Sequence, residues 1–309
     1  MNIRLYGAIA LGLLMNLHGA MAAEDLSQAL VTINPVIIHE PTQNRDVSLR
    51  ITAPVNGTKL PVILFAHGAQ YSKDDYLPLS EFWASHGYVV IQPTHIDSTT
   101  IGLQRTDPRM QDAWRGRLLD MHRVLDTLDE IVRDTPLLKG RVDTKRILAA
   151  GHSFGGHTAA ALVGAKMPDV AADFTDPRIT AGVLLAPPSR APGFRNVEWR
   201  TDSKPVLIVA GLEDLTMEND WHAHAQYFYN TEVGNRCLAA MTGVEHFLGG
   251  TLGMHRTEEK KESPATLAEI QKLSLQFFDA AVKGSGEWAK TRAELLQTRP
   301  STIGIFACK

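Results

Sequence analysis

The stretch Arg146-Ile147-Leu148-Ala149-Ala150-Gly151-His152-Ser153-Phe154-Gly155-Gly156 decides how the rest of the chain is read. An apolar run leads into a serine with glycine two places away on each side, and the small residues from Thr158 to Ala165 follow as a helix. G-x-S-x-G set between a buried strand and a helix is the context of a nucleophile elbow, a turn sharp enough to lift the serine hydroxyl above the sheet edge. So tight a turn leaves no space for side chains at Gly151 and Gly155. A glycine-flanked serine recurs by chance in ordinary strand-to-helix turns. The strand before it and the helix behind it, whose N-terminus favours developing negative charge, give this one chemical weight.

Working outward, Val47 to Ala53 alternates like a half-exposed strand, Asn56-Gly57 turns the chain, and Pro61 to Ala66 is continuously apolar, as a strand buried on both faces should be. Leu77 to His86 reads as a short helix closed by Gly87, and Tyr88 to Pro93 as the next buried strand. Asp112 to Arg133 has helical spacing, with Leu118, Met121, Val124, Leu125, Leu128 and Ile131 on an apolar face. Arg115, Arg117, Asp120, Arg123, Asp126 and Asp129 are expected to form its solvated face. Beyond the elbow come strands over Ala181 to Ala186, Pro205 to Ala210 and Arg236 to Met241, then a final helix from Pro264 to Val282. Alternating strands and helices predict an α/β fold with a mostly parallel central sheet and helices on both faces. No repeat, low-complexity tract or Gly/Ser linker divides residues 23–309, which are expected to form a single domain.

The 309-residue sequence is 44% hydrophobic with a formal charge of -3. Without a basic surplus to displace counterions from a phosphate backbone, nucleic acid is not an expected partner. Met1-Asn2-Ile3-Arg4, the apolar run Leu5 to Leu17 and His18-Gly19-Ala20-Met21-Ala22 read as a secretory signal over residues 1–22, cleaved after Ala22, for a periplasmic or secreted protein. A membrane anchor or buried first helix is the alternative, but that run falls short of the ~20 apolar residues of a spanning helix, and no stable span is expected. Export would let Cys237 and Cys308 form a disulfide that pins Ile303 to Lys309 back onto the domain. Two buried thiols are the alternative. No clustered metal ligands or phosphate cradle stand out, so no cofactor is expected.

The elbow in its setting resembles the α/β-hydrolase superfamily, in which nucleophile, acid and histidine follow in that chain order. A serine hydroxyl needs a neighbouring base. Of the twelve histidines, His18 lies in the leader, His39 ahead of the sheet, and His86, His122, His222 and His224 on helices. His67, His95 and His152 precede the serine, and His157 sits on the helix behind it. His246, in Gly243-Val244-Glu245-His246-Phe247 after the last apolar strand, is the expected base, with His255 in the same loop as the alternative. Val206 to Ala210 runs into Gly211-Leu212-Glu213-Asp214, which makes Asp214 the expected acid ahead of Glu213; a turn or helix-capping aspartate is its plainer reading. The oxyanion hole needs two fixed backbone N–H donors, each worth ~3 kcal/mol. Phe154 supplies one, and the loop His67-Gly68-Ala69-Gln70 supplies the other from Ala69, with Gln70 next. The His67 side chain is expected to be a structural hydrogen-bonding group.

Phe65-Ala66-His67-Gly68, Ala84-Ser85-His86-Gly87-Tyr88-Val89-Val90, His95-Ile96-Asp97 and the elbow further resemble the platelet-activating-factor acetylhydrolase and dienelactone-hydrolase-like branch, close to cutinase-like polyester hydrolases. The resemblance covers roughly Val47 to Val282. It implies a serine carboxylesterase working through an acyl-enzyme on a small-molecule or lipid-like ester, polyesters included. The chain departs from that branch in three ways. Dienelactone hydrolases use a cysteine where Ser153 stands. Some acetylhydrolases take their acid after the segment matching Leu184 to Pro188, where no carboxylate occurs here. Polyester hydrolases often carry a tryptophan where Pro187-Pro188-Ser189 stands. An amidase or peptidase of the same fold, or a non-catalytic binding protein on this scaffold, are the competing functions. The long connections Asp97 to Trp114 and Pro187 to Asp202 are expected to shape specificity.

Overall fold

A computed structural model describes residues 28–166, 172–189, 198–200, 202–216, 220–230, 234–253, 263–283, 285–297 and 303–309. The expected leader, residues 1–22, and His255 lie outside them. In chain order the elements are β1 (Leu30–Glu40), β2 (Arg45–Pro54), β3 (Leu60–Ala66), α1 (Leu77–Ser85), β4 (Val89–Pro93), α2 (Pro108–Gln111), α3 (Ala113–Asp126), α4 (Leu128–Asp134), β5 (Val142–His152) and α5 (Phe154–Leu162). They continue with β6 (Ala165–Lys166), β7 (Ile179–Leu185), β8 (Glu198–Trp199), β9 (Val206–Gly211), α6 (Trp221–Tyr229), β10 (Arg236–Met241), α7 (Pro264–Lys283), α8 (Ser285–Gln297) and β11 (Ile303–Cys308).

A nine-stranded sheet runs in the order β1-β2-β4-β3-β5-β7-β9-β10-β11. The six strands from β4 to β10 are parallel to one another, while β1, β2 and β11 pair antiparallel at the margins. Alternation along each buried strand builds two cores. Val62, Leu64 and Ala66 of β3 face one cluster with residues of α3, α4, α5 and α6. Ile63 and Phe65 face the other, with residues of α1, α7 and α8. Each fully buried Val, Leu or Ile stabilises this arrangement by roughly 1.5–3 kcal/mol. The expected mostly parallel sheet with helices on both faces is the fold observed. No helix among the described residues is long and apolar enough to cross a membrane.

Several particulars differ from the sequence reading. His39 lies within β1 rather than ahead of the sheet; this edge strand is largely exposed, so it lacks the apolar run that marks an inner strand. The helix expected over Asp112 to Arg133 is two helices broken at Thr127, whose hydroxyl bonds back to the Arg123 carbonyl at 2.7 Å, a local bond that competes with helix continuation. Arg117 and Asp120, assigned to the wet face, are fully buried, because their partners come from the loop after β3, from β2 and from the segment after β4. At the other margin, Cys237 stands opposite Cys308 and the two form a disulfide that ties β11 to β10.

Candidate active site

β3, β5, β9 and β10 are parallel, so the segments that follow them emerge at the same, carboxyl edge of the sheet, where ligand sites of open α/β sheets form. Four segments carry the expected groups: His67 to Gln70 after β3, Ser153 after β5, Asp214 after β9 and His246 after β10.

Ser153 has φ 52° and ψ −125°, a conformation that a side-chain-bearing residue adopts only under constraint. Its N–H is held by the Leu185 carbonyl at 2.8 Å. A Cβ at Gly151 would stand 2.1 Å from the Gly155 oxygen, and one at Gly155 would stand 1.9 Å from the Ala66 oxygen. Both glycines are therefore steric necessities of the turn.

Asp214 and His246 meet because their loops are laced together. Leu212 N–H bonds to the Met241 carbonyl and Glu213 N–H to the Val244 carbonyl, both at 2.9 Å. A side chain at Gly211 would sit 2.2 Å from the Val244 oxygen. His246 Nδ1 then lies 2.7 Å from Asp214 Oδ2. The other carboxylate oxygen accepts from Thr216 N–H at 3.0 Å. Burial alone would raise the Asp214 pKa, but His224 and His246 hold the carboxyl well below the usual range. It is an anion within hydrogen-bond reach of the imidazole.

His152, the variable residue inside the elbow motif, carries an unexpected connection. Gly68 N–H donates to Tyr76 Oη at 3.1 Å, and Tyr76 Oη lies 2.9 Å from His152 Nδ1. His152 Nε2 lies 2.8 Å from the His246 carbonyl. Since that carbonyl only accepts, Nε2 bears the proton and Nδ1 takes the tyrosine's hydrogen. Burial, and next the neighbouring His246, push the His152 pKa down to about 3, so the ring is neutral. The chain links the loop after β3, the residue before Ser153 and the main chain of His246.

Of the two loop amides, Gln70 N–H points to Asp97 Oδ2 at a long 3.4 Å, whereas Ala69 is exposed. Phe154 opens α5. Tyr71 and Phe247, half-buried, pack edge to face 6.2 Å apart beside His152 and His246, and Leu215, next to Asp214, is 75% exposed. Tyr71, Phe247 and Leu215 make part of this edge apolar and aromatic.

His224, on α6 and not among the expected site residues, has its Nε2 3.0 Å from Asp214 Oδ2 and its Nδ1 3.0 Å from the Pro187 carbonyl. Among the described residues, Asp214, His224 and His246 form the group whose ligand-type atoms are close enough to hold a metal. Their geometry does not suit one. Ligands around a tetrahedral zinc at 2.0–2.1 Å stand roughly 3.3 Å apart, whereas His246 Nδ1 and His224 Nε2 lie 2.7 and 3.0 Å from the same carboxylate oxygen. The His246 contact is a hydrogen bond. Arg117 and Tyr76 are not legible as site residues either: Arg117 is one charged residue among several on α3, and Tyr76 stands just ahead of α1 with no motif around it.

The chlorophyllase family model matches residues 20–175. The match takes in β3, the loop after it and the elbow, and ends before Asp214 and His246. "Chlorophyllase type 0" of Chenopodium album is 35% identical over 63 residues, 20% of this chain. That stretch spans 18% of the relative's own length.

Proposed function

Because the chain belongs to the chlorophyllase family, we propose that it hydrolyses a carboxylic ester, with Ser153 as nucleophile, His246 as general base and Asp214 as the acid that orients the imidazole. The observation that carries this reading is the Asp214–His246 bond at 2.7 Å, formed at the same sheet edge as the strained serine turn. An ionised Asp214 accepting from Nδ1–H leaves the Nε2 lone pair of His246 to take a proton.

In the proposed cycle the Ser153 oxygen attacks the ester carbonyl while its proton passes to His246. The oxyanion is held by the amides of Ala69 and Phe154. Collapse breaks the carbonyl–alkoxy bond, and His246 returns the proton to the departing alcohol. Water, deprotonated by His246, then attacks the acyl-enzyme and frees the acid and Ser153. The apolar rim of Tyr71, Phe247 and Leu215 suits an ester with a hydrophobic acyl or alcohol part, and the family's name makes a chlorophyll the first ester to try. The finer placement beside acetylhydrolases and polyester hydrolases remains part of this proposal, as do a single domain over residues 23–309 and export. The disulfide supports export, since such bonds persist in oxidising compartments.

The test is hydrolysis of chlorophyll and of p-nitrophenyl esters of increasing acyl length, with matched anilides, by the wild type, Ser153→Ala and His246→Ala. Ester cleavage abolished in both variants is the expected result. Anilide turnover comparable to ester turnover would instead favour the amidase, and activity surviving in Ser153→Ala would end the proposal.

A further inference from the structure

Arg117 is fully buried in α3, and a buried guanidinium persists only when its donors are met. Its Nε and one terminal nitrogen grip Asp97 bidentately at 2.8 and 2.7 Å. Burial alone would raise the Asp97 pKa, but Arg117 overrides it and keeps the carboxylate ionised. The remaining donors point at backbone: Nη1 reaches the His67 carbonyl at 2.6 Å, and Nη2 reaches the Gly68 carbonyl at 3.1 Å. The face of the guanidinium lies over the Phe154 ring, with Cζ 4.4 Å from its centroid.

Two of these contacts bear on the amides assigned above to the oxyanion. The Gly68 carbonyl and the Ala69 N–H belong to one peptide unit. That carbonyl accepts from Arg117, from His67 Nδ1 at 2.7 Å and, at a longer 3.3 Å, from the Tyr71 N–H. His67 Nε2 receives the His95 backbone N–H at 2.9 Å, so the ring proton must sit on Nδ1. Three donors on one carbonyl, two of them the side chains of Arg117 and His67, polarise the peptide, and cooperative strengthening of about 10–30% per bond passes to its N–H. The Arg117–Asp97 pair is neutral as a unit, so this acts through the bonded peptide rather than as a long-range field. Phe154 carries the other amide, and its ring rests on the same guanidinium.

We propose that Arg117 is a positioning residue for the oxyanion hole, setting the Gly68–Ala69 peptide and Phe154 together so that both backbone donors converge. The inference rests on the serine-hydrolase reading. Its rival is that Arg117 only staples the core, in which case its loss would weaken folding and leave turnover per folded molecule unchanged.

The experiment measures kcat and KM for p-nitrophenyl butyrate, the Ki of a trifluoromethyl ketone that forms a tetrahedral oxyanion on serine, and thermal unfolding. It compares the full-length wild type, Arg117→Lys, Arg117→Met and Ser153→Ala. Arg117→Lys keeps the charge but cannot reproduce the fork. The expected result for folded Arg117→Lys is a kcat lower by about 10- to 100-fold, the loss typical of a reactive group drifting by ~1 Å, with KM within about threefold. The ketone should weaken by the same factor as kcat, and Arg117→Met should be at least as affected. Wild-type kcat and ketone affinity per folded molecule in either variant would overturn the inference. If neither folds, Asp97→Asn is measured: it keeps the guanidinium but slackens its anchor. A parallel loss in kcat and ketone affinity supports the inference, and wild-type values overturn it. Retained activity in Ser153→Ala is a separate outcome that removes the serine reading itself.

Discussion

Replacing Gly155 with alanine puts a methyl group into the closest backbone approach of the site. Its carbon would stand 1.9 Å from the Ala66 oxygen, 2.5 Å from the Ala66 carbonyl carbon and 2.7 Å from the His67 oxygen. All three atoms are main chain, so no rotamer change relieves the clash, and real Cβ contacts essentially never fall below 3.0 Å. The elbow and the end of β3 must therefore separate by on the order of 1 Å. One side of that gap carries Ser153 and the Phe154 amide, and the other leads to Ala69, so the displacement would open the proposed oxyanion hole. A misplacement of that size costs roughly 10²-fold in rate, and the overpacking costs about 1–3 kcal/mol of stability. The assay is kcat/KM on p-nitrophenyl butyrate well below the unfolding transition, with the folded fraction taken from circular dichroism. Gly234→Ala is the control, since its added carbon would find its nearest atoms at 3.8 Å. A folded Gly155→Ala enzyme within threefold of wild type would refute the steric reasoning.

Asp214→Asn should fold and lose roughly 10³- to 10⁴-fold in kcat with little change in KM, because the amide no longer holds the imidazole in its working tautomer; steady-state kinetics reads this directly. Stability should fall with acidification below pH 6.5. His67, His95 and His157 are held well below 6.5 by burial, and His152 at about 3. The unfolded chain thus takes up four protons that the fold refuses, while burial lifts Asp120 to about 7 and returns one in the opposite sense. The excess of protons bound by the unfolded chain makes stability fall as the pH drops through 6.5, and urea unfolding at pH 7.5 and 5.5 checks it; equal midpoints would contradict it. Reducing the Cys237–Cys308 bond, which closes a span of 71 residues, should lower stability by up to about 4 kcal/mol. Because β11 stays paired to β10, activity at low temperature should survive reduction, which an ester assay with and without reductant measures.

How much of this was legible in the sequence followed the range of the forces involved. The elbow could be read because its steric demand is local: Gly151 and Gly155 lie within the same few residues that need them. The inner strands could be read because burial on both faces leaves continuous apolar runs such as Val206 to Ala210. Asp214 and His246 followed from position at strand ends, and they do meet. The charges of α3 misled, since helical spacing shows which residues share a face but not what covers it. Arg117 finds its partners 20 and 50 residues away in the chain, beyond the reach of any periodicity. His224 was hidden in the same way, as one more polar residue on a short helix. The margins β1, α8 and β11 went unread because edge elements bury too little to leave a pattern.

The proposed mechanism turns on activation of the Ser153 hydroxyl by the His246 imidazole. Fluorophosphonate labelling with peptide mapping, timed in the wild type and in His246→Ala, tests it most directly. A single adduct on Ser153 is expected, forming at least about 10³-fold more slowly without the imidazole. An adduct on another residue, or undiminished labelling of Ser153 in His246→Ala, would contradict it.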